Sequence, residues 1–173
     1  MKTALLVIDV QRAMFTMEPP VHKGNELLKN IQKMISYARD RSIPLIFVQH
    51  SGPNNSPLEK NTEGWGLHDN LSPAAEDMII HKKTPDSFYE TSLQKYLRQM
   101  EIEHLIITGI QTEACVDTAC RIGFSLGYKM TLVKDAHSTF HKETLSASSI
   151  IEHHNEVLRW FAETVSTEKF ISS

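Results

Sequence analysis

Three residues of this chain together offer a nucleophile, a base and a fixed positive charge: Cys115, Asp9 and Lys82. Each lies where a strand candidate ends. Asp9 closes the apolar run from Ala4 to Ile8, Lys82 follows Met78 to His81, and Cys115 comes shortly after Leu105 to Thr108, where Gly109-Ile110-Gln111-Thr112 leads into a helical segment. An unperturbed thiol has a pKa of about 8.5 and is only a few per cent thiolate near neutral pH. A helix N-terminus and a neighbouring ammonium both lower that value. At about 4 Å and an effective dielectric of about 20, one such charge is worth roughly 4 kcal/mol before desolvation is subtracted. A lysine is therefore a sensible neighbour for this cysteine, and a carboxylate completes the set as the base that takes the thiol proton and later returns it to a leaving amine. Singly, each residue has a plainer reading: an Asp can cap a helix, a Lys after a strand is usually solvated, and a Cys on an apolar helix is usually a small core residue. Their coincidence at three strand ends argues for chemistry, because ligands of open parallel sheets bind at the carboxyl ends of the strands.

The elements that must position these residues follow from periodicity. Short β-branched runs alternate with longer segments of helical spacing, which predicts parallel strands joined by crossover helices. The strand candidates are Ala4 to Ile8, Leu45 to Gln49, Met78 to His81, Leu105 to Thr108 and Lys129 to Val133, with a weaker sixth from Thr164 to Lys169. Helices are predicted over Glu26 to Arg41, Thr91 to Met100, Glu113 to Leu126 and Lys142 to Glu163. Between Ser51 and Pro73, Gly and Pro interrupt any regular element, and a loop of that length is often a lid or binding loop. It carries Trp65 and His68.

With 173 residues, 40% of them hydrophobic, the chain suits one domain with a substantial core. A net charge of −3 without a dense Lys/Arg run argues against nucleic acid as a partner and leaves small molecules. Asp9 cuts the N-terminal apolar run too short for a signal-peptide core, and no run is long enough to span a bilayer. Cys115 and Cys120 are five positions apart on one predicted helix, poor disulfide geometry. The expected compartment is the cytoplasm, with no membrane contact.

The segment Gly109-Ile110-Gln111-Thr112-Glu113-Ala114-Cys115-Val116-Asp117-Thr118-Ala119 resembles the G-x-x-T-x-x-C-V-x-x-T-A signature of isochorismatase-like hydrolases. Leu6-Val7-Ile8-Asp9-Val10-Gln11 is similar to that family's opening strand, Val133-Lys134-Asp135-Ala136 to its fifth, and Lys82-Lys83-Thr84-Pro85-Asp86-Ser87-Phe88 to its catalytic-lysine region. The resemblance implies a three-layer α/β sandwich with a mainly parallel, about six-stranded Rossmann-like sheet flanked by helices. It implies an Asp9, Lys82, Cys115 triad. Lys82 is preferred over Lys83 because the spacing to Phe88 fits and successive side chains at a strand end face opposite ways. It also implies a cis peptide between Ile110 and Gln111 that turns the Gln111 and Cys115 N–H groups toward one point as an oxyanion hole. Gln11, Phe15, Trp65, Phe88 and Ile110 are the candidate substrate-binding residues, although the aromatics among them could equally pack a core. Dimers or larger homo-oligomers are implied as well.

Where nicotinamidases of this superfamily carry D-x-H and a further His as a metal site, this chain has Gln49-His50-Ser51. His50 and His68 fall short of the three protein ligands usual for catalytic zinc, so no metal and no cofactor are expected. The leading reading is hydrolysis of a small amide through a thioester on Cys115. Vinyl-ether hydrolysis of the isochorismatase type, or a reactive thiol serving redox or partner binding without turnover, are the alternatives.

Overall fold

The computed structural model describes residues 1–172. Six strands form one all-parallel sheet in the order β3-β2-β1-β4-β5-β6: β1 Thr3–Ile8, β2 Leu45–His50, β3 Met78–Lys82, β4 His104–Ile110, β5 Lys129–Ser138 and β6 Glu163–Val165. The chain starts at the centre, builds outward to β3, then returns beside β1 as β4 and builds outward the other way. The order therefore reverses between β1 and β4, and in open α/β sheets ligands bind outside the carboxyl ends at such a point.

Alternation along the strands sorts the core into two layers. Leu5, Val7, Phe47, Ile106 and Val133 face the helix α2 (Gly24–Asp40), which contributes Leu28, Ile31, Met34 and Ile35 from one stripe. Ala4, Leu6, Ile8, Ile46, Val48 and Ile107 face the other way, toward Leu93 and Leu97 of α3 (Leu93–Gln99) and Ala119 and Cys120 of α4 (Asp117–Ser125). With both faces covered, the central strands read as unbroken apolar runs rather than alternating ones. The remaining helices are α1 (Arg12–Thr16), α5 (Ala147–Val157) and α6 (Thr167–Ile171). Among the described residues no helix is long and apolar enough to cross a membrane.

Several predicted boundaries shift for local reasons. The sixth strand ends at Val165, because Ser166 caps α6 and the hydroxyl and N–H of Thr167 both bond Asp135. The helix predicted from Lys142 starts only at Ala147, where the Ser146 hydroxyl accepts from the Ser149 N–H. β5 runs five residues beyond Val133, and α1 has no counterpart in the sequence reading. Residues 51–73 are a loop whose only helix is a single short turn at Asp69–Leu71.

Candidate active site

Asp9 and Cys115 follow β1 and β4, the two strands that flank the reversal point. Lys82 ends β3, two strands away, and its side chain reaches back across the end of β2. Its Nζ lies 2.7 Å from Asp9 Oδ2, and the two side chains are 0% and 1% exposed. The ammonium also donates to the carbonyls of Thr84 at 3.1 Å and Pro85 at 3.4 Å. Lys83, by contrast, is exposed. Asp9 Oδ1 is buried without a hydrogen-bond partner among the described residues. Asp9 itself is left-handed (φ 53°), and its N–H donates to the Val48 carbonyl, which fixes the carboxyl at the sheet end.

The Cys115 thiol is half-buried, packed against the α3/α4 core layer, and close enough to Asp9 and Lys82 to alter the proton affinity of both. Gly109 explains how the turn comes so near β1. Its φ is +125°, and a Cβ there would lie 2.1 Å from the Ile8 carbonyl oxygen. The Ile110–Gln111 peptide is cis.

The predicted helix is present with a differently wound first turn, and the expected lowering of the thiol pKa is not found. The helix predicted from Glu113 begins instead as a π-wound turn, Thr112–Val116, in which the Val116 N–H donates to the Gln111 carbonyl at 3.1 Å; α-helix follows only from Asp117. Burial, reinforced by the Asp9 charge, pushes the thiol up to about 12 despite Lys82, so it rests as a thiol and not as the lowered-pKa thiolate. Burial likewise raises the Asp9 carboxyl above its ordinary range, against the pull of Lys82. For Lys82, burial works against the charge, but Asp9 and Cys115 outweigh it and hold the ammonium above its usual value. The resting arrangement is thus a fixed cation, a carboxylate with enhanced proton affinity, and a neutral thiol.

The other candidates take varied places. Gln11 is fully buried, and its amide is spent on backbone: Nε2 donates to the carbonyls of His50 at 2.9 Å and Trp65 at 2.7 Å, and Oε1 accepts from the His50 N–H at 2.9 Å. Gln49 donates to the same Trp65 carbonyl at 2.8 Å. The Trp65 indole stacks on His81 and donates to Ser51. Phe15 packs edge-on against His68 at 4.6 Å, while Phe88 stacks with Tyr128. Ile110 is buried in the α2 core layer, so its contribution near the site is its backbone. His68 accepts from the Asn70 N–H, and among the described residues no group of three or more His, Cys, Asp or Glu could hold a metal.

The loop also caps α1. Arg12 and Ala13 donate their N–H groups to the carbonyls of Gly66 and Gly64, and the His68 N–H donates to Val10. First-turn donors that a helix leaves unpaired are thus satisfied by the loop.

Sequence reading passed over a second cluster. The His137 ring lies 2.8 Å from Thr112 Oγ1 through Nδ1 and 2.9 Å from Asn155 Oδ1 through Nε2. Asn155 Nδ2 donates to the Lys134 carbonyl, so its Oδ1 must accept from His137 Nε2–H, which leaves Nδ1 to accept from the Thr112 hydroxyl. Burial lowers His137 to about 4 and keeps it neutral in this role. The Thr112–Val116 turn is thereby tied to β5 and α5. A signal existed in Thr112 of the signature, but the strand candidate stopped at Val133 and left His137 outside it.

An isochorismatase domain model matches residues 3–167. The chain is 31% identical over 140 residues to the uncharacterized isochorismatase family protein YrdC of Bacillus subtilis (strain 168), covering 80% of this chain and 75% of that protein. It is 30% identical to the ureidoacrylate amidohydrolase RutB of Serratia proteamaculans (strain 568), covering 78% of this chain and 69% of that one. The crystal structure of an isochorismatase family protein superposes with a TM-score of 0.88 at 31% identity, covering 95% of this chain and 98% of that chain.

Proposed function

The chain belongs to the isochorismatase family, and from that premise we propose that it is a cysteine hydrolase which cleaves the C–N bond of a small amide through a thioester on Cys115. The observation that carries this reading is the buried Asp9–Lys82 pair: it occupies one carboxylate oxygen and leaves Oδ1 unpartnered in a site it shares with a half-buried thiol. An ion pair sunk this deeply is a poor stabiliser compared with apolar packing, so its place beside a nucleophile is better explained by chemistry. The amidohydrolase among the relatives supports an amide as substrate.

In the proposed cycle Asp9 takes the thiol proton as sulfur attacks the carbonyl carbon. The S–C bond forms, and the oxyanion rests on the N–H groups of Gln111 and Cys115. Collapse breaks the C–N bond while Asp9 returns the proton to nitrogen, and ammonia or an amine leaves. Asp9 then takes a proton from water, the hydroxide displaces sulfur as the carboxylic acid forms, and the thiol is restored. Lys82 holds its proton throughout; it orients Asp9 and favours each anionic state. Because the resting sulfur is a thiol, proton transfer accompanies substrate arrival rather than preceding it.

The test is a screen of small amides and enol ethers that reads ammonia and pyruvate in parallel. Ammonia release is expected, with an acyl adduct on Cys115 in rapidly quenched samples. Cys115→Ala should lower turnover by at least about a thousandfold while its thermal transition stays near that of the parent. Full turnover in that variant, or pyruvate as the only product, would overturn the reading.

A further inference from the structure

β2 runs between β1 and β3, so the residue at its carboxyl end, His50, lies between the base and the amine. It pairs in register with Lys82, and two residues earlier Val48 accepts the Asp9 N–H. Gln11 fixes its backbone by bonding both its N–H and its carbonyl. His50 Nδ1 is buried with no hydrogen-bond partner among the described residues. The Thr84 and Pro85 carbonyls hold Lys82, and the Trp65 carbonyl takes both Gln11 and Gln49. Burial and the Lys82 charge lower the proton affinity of His50, against Asp9 and a bond to the Thr84 backbone. The ring is therefore a neutral imidazole, and with its proton on Nε2 it offers the Nδ1 lone pair beside the reacting groups.

We propose that His50 Nδ1 accepts an N–H of the scissile amide and so selects nitrogen leaving groups over the matching esters. This inference rests on the cysteine-hydrolase reading above and deepens it. Holding one N–H fixes rotation of the departing group and turns its lone pair toward protonated Asp9. His50 itself gains and loses no proton: the thiol proton travels through Asp9 to nitrogen as S–C forms and C–N breaks. A site that hydrogen-bonds an N–H rejects the oxygen analogue strongly, because the buried acceptor is then left unpaired.

The experiment compares kcat/KM for a primary amide found in the screen and for its methyl ester, in the parent, His50→Leu and His50→Asn. Leu removes the acceptor; Asn restores one, since its Oδ1 stands close to the position of Nδ1. The amide-to-ester ratio should fall ten- to a hundredfold in His50→Leu and recover most of that in His50→Asn. A ratio within twofold of the parent in His50→Leu would overturn the proposal, even if both rates drop, and would mark His50 as a ligand of the hydrolytic water or a packing residue. If His50→Leu is inactive on both substrates, His50→Asn decides: a retained ratio supports the proposal and a lost one overturns it. A parent that releases ammonia from no amide would overturn the cysteine-hydrolase reading first and this inference with it.

Discussion

The two halves of the sheet supply the site in opposite ways. On the β3-β2-β1 side the groups are charged and sealed: Lys82 and Asp9 are almost unexposed, and the ammonium is bonded to Asp9 and to two carbonyls. On the β4-β5 side the Cys115 thiol is neutral and half-buried, carried on a π-wound turn and held by an uncharged chain from Thr112 through His137 to Asn155. The charged half is costly to bury and can be relieved only as a unit, whereas the neutral half depends on each hydrogen bond being made. In the proposed cycle, a nucleophile that must approach and leave a carbon suits the second arrangement, and a base of fixed orientation suits the first.

The sharpest way to break this contrast is to unpair the charged half. Lys82→Met and Asp9→Asn should each lower unfolding free energy by about 3–5 kcal/mol, since each strands a buried charge. The double variant should be more stable than at least one single, giving a large coupling energy in denaturant titrations. Additive losses would mean that the two groups do not depend on each other. The singles should also differ with pH. In Lys82→Met the burial that already raises the Asp9 carboxyl acts without its counter-charge, so the folded-state pKa lies further above the unfolded value. The folded state then binds a proton more tightly than the unfolded one, and the deficit shrinks as pH falls through the raised value. In Asp9→Asn the stranded charge is the Lys82 ammonium, and that deficit shrinks instead as pH rises.

The neutral half should yield less, and its deficit, like that of Lys82→Met, should shrink as pH falls. His137→Leu leaves the Thr112 hydroxyl and Asn155 Oδ1 without their partner, an expected loss of about 2–3 kcal/mol at pH 7 with a slower turnover. Because burial depresses His137 from 6.5 to about 4, the parent's stability from this group is complete above pH 6.5 and is lost as pH falls toward 4. Between pH 7 and 5 that amounts to about 2 kcal/mol. The gap between parent and His137→Leu should therefore narrow at pH 5. A gap that stays constant would show that His137 does not hold the turn as a neutral group.

What was legible in the sequence follows the same division. Asp9, Lys82 and Cys115 could be found because strand ends are marked by breaks in apolar runs, and Lys82 could be chosen over Lys83 from the pleat. The sheet could be read because both its faces are covered. The thiol's proton affinity could not be read, because it depends on burial and on charges from β1 and β3 that only the fold brings near. Nor could the π turn, since its apolar spacing over five residues does not differ usefully from an α-helix. Gln11 was singled out for substrate, yet its amide lies wholly against backbone, and nothing in a Gln after a strand indicates which partner it will find. His137 was missed because a β5 extended through Asp135 to Ser138 has no clean alternation.

The smallest test concerns the clasp on the loop, where the charged half also relies on neutral bonds. The Trp65 carbonyl accepts from both Gln11 and Gln49, so removing Gln49 leaves it partnered, whereas removing Gln11 also strips the N–H and carbonyl of His50. Gln49→Leu should cost about 1 kcal/mol, seen as roughly fivefold faster amide exchange or proteolysis within residues 51–73. Gln11→Leu should open the same loop further and also disturb β2 at its carboxyl end. Equal effects from the two would mean that the loop is held by its caps on α1 and by Trp65 stacking on His81, and that the bonds of Gln11 to His50 contribute little. The outcome bears on catalysis because His50 lies between Asp9 and Lys82. If Gln11 sets the backbone of His50, Gln11→Leu should alter amide turnover at pH 7 while Gln49→Leu leaves it nearly unchanged.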